Sequence, residues 1–168
     1  MTWSLNETQA LCRKAARGAG MAWGLADDAG FAARWLEDRG QEGAAQLAAL
    51  LPDWAVRAGT GTCPICRGTE MSDLGQAPAD LSDPEPLLWP FLALVAAVTK
   101  APVTWGVGNA ISPDGVLTLR GKAQAFNGRA TPEAATITTL ETFAARTYAP
   151  ATEASRLAGA GAGTSDND

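Results

Sequence analysis

The sequence predicts an α+β protein: N-terminal helices and one buried central helix packed on a small, mainly antiparallel C-terminal sheet. Three observations predict it. Ala and Leu recur at helical spacing as far as Leu51. Pro90, a favourable first-turn residue, opens a run from Phe91 to Val98 that is apolar nearly all round. Beyond Pro102 the pattern changes to β-branched residues between glycines and turn signals. Helices in one stretch and strands in another make the α+β layout.

The first helix starts at Ser4, whose hydroxyl and the Glu7 carboxylate have the spacing of a capping box. Leu5, Thr8, Leu11, Cys12, Ala15 and Ala16 form its apolar stripe, and Gly18 is its stop. Cys12 on that stripe reads as a small core hydrophobe. Gly18 to Gly24 reads as a loop carrying Trp23. A second helix follows from Leu25 to Arg39, with Asp27 and Asp28 in its first turn, where the helix dipole favours negative charge. A third runs from Gln41 to Leu51, closed by Pro52. The stretch Arg57–Gly68 reads as a glycine-rich loop around Cys63 and Cys66, and Gln76–Pro86 as an irregular connection. Val103–Val107 reads as a strand, Ser112–Gly115 as a type I turn, Val116–Leu119 and Ala134–Thr139 as further strands, and Gln124–Phe126 as a short addition. Residues 1–158 are expected to form one domain, followed by a glycine-rich tail over 159–168.

Composition narrows the chemistry. A 168-residue chain with 46% hydrophobic and 18% charged residues can bury a core without disulfides. Its net charge of −5 argues against nucleic acid and anionic membrane as partners. Arg13, Lys14 and Arg17 cluster locally, either as a solvated helix face or as an anion site. With no histidine, acid–base work would fall to carboxylates, Cys, Lys or the single Tyr148. Three cysteines and a start without the charge pattern of a secretory signal fit a reducing, cytoplasmic setting. The run Leu87–Val98 is too short for a membrane span, which needs about 20 residues.

Cys63-Pro64-Ile65-Cys66 is the sharpest motif. Its spacing suits two thiolates on one metal, with zinc the candidate, or a reversible disulfide, with Arg57 and Arg67 near enough to favour thiolates. The pair supplies half of a four-ligand zinc site, and no βαβ pattern surrounds it, so a purely structural loop stays open beside both readings. Trp23 and Trp105, each beside glycines, are candidates for a pocket or an interface as well as for the core.

Three segments carry a resemblance. Ser4–Gly20 continuing through Trp23–Asp27, Cys63–Ile65 leading to Ser72-Asp73, and Glu153–Leu157 through Asp166–Asp168 together resemble a family of small bacterial proteins known only as a domain of unknown function. The resemblance implies one unit from end to end and a tail that is more than a frayed end. Arg156, Asp166 and Asp168 are therefore candidates for ligand or partner binding, by pairing with charged groups on the body, beside Trp23, which is one by its place in a glycine-flanked loop.

The expected function is a partner-binding or accessory subunit of a metabolic system, with a protein partner or a second copy of the chain. The alternative is a thiol-dependent redox enzyme or sensor in which Cys63 attacks and Cys66 resolves.

Overall fold

The computed structural model describes residues 2–78 and 81–148. In chain order the helices are α1 (Leu5–Gly18), α2 (Trp23–Glu37), α3 (Gly43–Leu50), α4 (Trp54–Gly59), α5 (Pro64–Leu74), α6 (Trp89–Thr99, preceded by a 3-10 turn, Pro86–Leu88) and α7 (Ala134–Ala145). The strands are β1 (Trp3–Ser4), β2 (Val103–Trp105), β3 (Asn109–Ile111), β4 (Leu117–Leu119), β5 (Lys122–Ala123) and β6 (Arg129–Ala130). The layout is α+β. Among the described residues, no helix is long and apolar enough to cross a membrane.

The capping box forms as the sequence requires. The Ser4 amide donates to Glu7 Oε2 at 2.9 Å, and the Glu7 amide donates to Ser4 Oγ at 3.2 Å. Those bonds hold the Glu7 carboxyl below the usual carboxylate range. Thr8, Cys12, Ala15 and Ala16 are buried on α1 and face a layer made with α2, α3, α5 and α7. Burial pushes the Cys12 thiol up, so it is core, as the stripe requires.

α6 stands between two clusters. Phe91 belongs to the helical core, while Leu92, Val95 and Ala96 pack with Val103, Trp105, Ile111 and Leu117 of the sheet. Trp35 and Trp89 touch both clusters. Leu94 and Val98 are exposed, so α6 is buried on most of its surface rather than all round. Trp105 is core, its ring tilted against Trp89 at 5.5 Å.

The sheet is an antiparallel meander in the order β2-β3-β4-β5. Val103 pairs with Ile111 and Ile111 with Leu117, which aligns three buried side chains toward α6. The expected strand Val103–Val107 stops at Trp105, because Gly106 and Gly108 take positive φ (51° and 74°) and turn the chain into β3, a strand that the sequence pattern does not reveal. The turn at Ser112–Gly115 is present, with the Gly115 amide donating to the Ser112 carbonyl at 2.9 Å. Arg39, buried and stacked on Trp35, grips that turn by donating from Nε and Nη2 to the Gly115 carbonyl at 3.2 and 2.9 Å. β5 lies at Lys122–Ala123, and Gln124–Phe126 is not strand. A separate pair, β1 with β6, ties Trp3 to Ala130 and Ser4 to Arg129.

The main correction is α7. Ala134–Thr139, expected as a strand, is helical. The hydroxyls of Thr138, Thr139 and Thr142 donate to carbonyls four residues back at 3.0, 3.0 and 2.8 Å, which lets β-branched residues sit in the helix. Leu140 and Ala144 are buried against the helical core, and the Phe143 carbonyl lies against Gly18 of α1. Tertiary packing overrides the strand preference of the Thr-Ile-Thr-Thr run.

Candidate functional site: a basic groove

Cys63 and Cys66 lie on a helix rather than in a loop. Arg57 belongs to α4, the loop is confined to Thr60–Thr62, and Cys63 is the N-cap of α5 with Pro64 as first residue. Cys63 has 0% exposure and lies in the helical core, while Cys66 is half-buried one turn on. Burial first, then a hydrogen bond to Cys63 and its charge, push the Cys66 thiol up to about 11. Arg57 pairs with Glu85 and donates to the Thr62 carbonyl at 2.8 Å. Among the described residues, no three His, Cys, Asp or Glu side chains come together to hold a metal. The pair would offer zinc two sulfurs.

This arrangement reverses the access of the usual reactive pair, in which the sulfur at the helix start is the reachable one. Cys66 should therefore alkylate with iodoacetamide near neutral pH about ten- to a hundredfold more slowly than a free cysteine. Its rate should climb steadily as the pH is raised through about 9, the ordinary thiol range. Cys63 should react only on unfolding. Peptide mapping of the alkylated protein measures both rates. Rapid labelling of Cys63 in the folded protein would overturn this picture.

A different set of side chains does converge. Ala10, Arg13, Lys14 and Arg17 recur at helical spacing on α1, opposite its buried stripe. The turn after Ala19 brings in Trp23, the first residue of α2 and 70% exposed. The end of α7 adds Arg146 and Thr147. Together they line a groove of about 560 Å³.

Each cation has a definite seat. The Arg17 guanidinium lies 4.3 Å from the Trp23 ring centroid, and its Nη1 donates to the Met21 carbonyl. Lys14 Nζ lies 3.8 Å from the centroid of the Tyr148 ring and donates to its hydroxyl. Arg146 covers the Phe143 ring at 4.4 Å. Arg13 pairs with Asp27 at 3.4 Å, and among the described residues it alone of the four has an ion pair. Arg17 and Arg146 stand at helix C-terminal ends, where the dipole favours a cation. Four cations around one concavity go beyond capping, because their mutual repulsion falls when an anion enters.

Of the residues singled out from sequence, Trp23 is in the groove with the Arg13, Lys14 and Arg17 cluster, whereas Cys63 and Cys66 lie at the start of α5 and line none of it. Arg156, Asp166 and Asp168 lie outside the described residues. Arg146 escapes a reading from sequence because the segment before it has the composition of a strand. The spacing of Leu140, Phe143 and Ala144 is the available helical signal. Asp27 and Asp28 sit beyond the first turn of α2. Asp28 accepts from Thr69 Oγ1 at 3.1 Å, and burial raises its carboxyl.

No curated protein and no solved structure matches the chain. A family described as "Protein of unknown function (DUF3726)" matches residues 3–82. That stretch contains the first two of the three resembling segments and not the third. It holds α1 to α5, and so both cysteines of the pair and the α1–α2 wall of the groove, but not Arg146. Over residues 3–82, the chain is similar to this domain-of-unknown-function family.

Proposed function

We propose that the protein is a partner-binding accessory subunit of a bacterial, cytoplasmic metabolic system, and that its contact surface is the groove of Arg13, Lys14, Arg17, Arg146 and Trp23. One observation carries the reading: an overall acidic chain gathers four cations and an exposed tryptophan on one concavity. Cations favour an acidic partner segment and speed its encounter, while a tryptophan beside an arginine is the composition of an interface anchor. The partner is thus a protein presenting carboxylates beside a small apolar side chain. The thiol alternative has less support, since its attacking sulfur is the buried one.

A photo-crosslinking amino acid placed at Trp23 in the native cell tests this. It should give one defined protein adduct, reduced at least about tenfold by Arg17→Glu. The same group at Val107, on the β2–β3 turn, should give none. Equal adducts from both positions, or none from Trp23, would sink the proposal.

A further inference from the structure

We infer that residues 149–168 of this same chain supply an acidic occupant for the basic groove, so that the tail competes there with the partner. The inference rests on the reading of the groove as an anion-accepting surface and adds how access to it is regulated. Tyr148 is the last described residue, and it is already seated at the groove, its hydroxyl accepting from Lys14 and its ring under the same ammonium group. The chain therefore enters its final segment beside the cations.

The residues beyond Tyr148 have matching chemistry. Glu153, Asp166 and Asp168 against the single Arg156 give the segment a charge of −2. Four groove cations less the paired Asp27 leave +3 on the other side. Leu157, the one large apolar side chain in the segment, is available to cover Trp23. Reach is sufficient at every point. Glu153 is five residues beyond Tyr148 and so lies within about 17 Å of it, and Asp166, eighteen residues on, within about 60 Å. Attachment to the chain makes these contacts intramolecular, which raises the local concentration of carboxylate at the groove to the order of millimolar. A free acidic partner of equal intrinsic affinity must exceed that to displace the tail.

The test uses the full-length protein with Glu153→Gln, Asp166→Asn and Asp168→Asn combined, compared with the unaltered protein by ¹⁵N–¹H NMR. The Trp23 indole signal and the amides of Arg13, Lys14 and Arg17 should shift between the two, and those of Val107 and Val116 should not. At about 1 M salt, where charges are screened beyond about 3 Å, the difference should collapse. In the cell the triple variant should raise the yield of Trp23 crosslinks about threefold or more, as the competitor is weakened. Spectral differences confined to residues 149–168 themselves would overturn the tail contact. NMR shifts without any crosslinked partner would remove the partner reading and keep the tail contact, and a crosslinked partner without shifts would do the reverse.

Discussion

Gly18→Ala should unseat α7 and lower stability by about 3 kcal/mol or more. A β-carbon at this position would stand 1.7 Å from the Phe143 carbonyl oxygen and 2.6 Å from its carbon. Both sides of that clash are backbone, so no rotamer change relieves it, and the helices must move apart. Separation would strip cover from Leu140 and Ala144, both buried in the helical core. It would also carry Arg146 and Thr147 away from the groove. For a chain of this size the melting midpoint should fall by roughly 6–12 °C. Circular dichroism melts of the two proteins measure it. A midpoint within about 2 °C of the parent would mean that α7 does not press on α1 as described.

The second large effect concerns Phe91 and Gly68. The Phe91 ring is 1% exposed and meets Phe31 edge-on at 6.1 Å and 75°. Gly68 of α5 lies against the same ring, and a β-carbon there would come within 2.2 Å of it. Phe91→Ala should cost about 3–5 kcal/mol through lost transfer energy and an unfilled cavity. Gly68→Ala in the parent should cost about 1–3 kcal/mol by overpacking. In the Phe91→Ala background the added methyl has room, so its cost should disappear and leave a coupling of about 1–3 kcal/mol. Urea unfolding of the four proteins gives the cycle. Additive losses would show that α5 and α6 do not meet through this pair.

Local rules recover much of the fold. The capping box at Ser4 and Glu7, the α1 stripe, the start of α6 at Pro90 and the turn at Ser112–Gly115 are each decided by neighbours within a few residues. The failures involve long-range packing or a signal given too little weight. Thr136–Thr139 is a strand former by composition, and the packing of the same segment's Leu140 and Ala144 with the helical core, against elements over a hundred residues earlier, makes it a helix. Pro64 after Cys63 is a helix-start signal that the surrounding glycines outweigh when the sequence is read alone. The groove is half legible. Arg13, Lys14 and Arg17 share a face by helical spacing alone, but whether that face is open water or one wall of a cavity depends on Trp23 and Arg146 arriving from other helices.

The pairing of β1 with β6 and of α1 with α7 has a consequence for the matched segment itself. Residues 3–82 hold the helices that begin the core, yet the layer over α1 and α3 is completed by a helix that starts at Ala134. A ribosome that has released only the matched stretch has made α1 with an apolar side still open to water. The first helix waits for the last of the described helices, a contact of long sequence separation, the kind that is slow to form and leaves nascent chains exposed to aggregation. Residues 3–82 are thus a unit of sequence similarity whose α1 and α3 are covered by a helix from outside it.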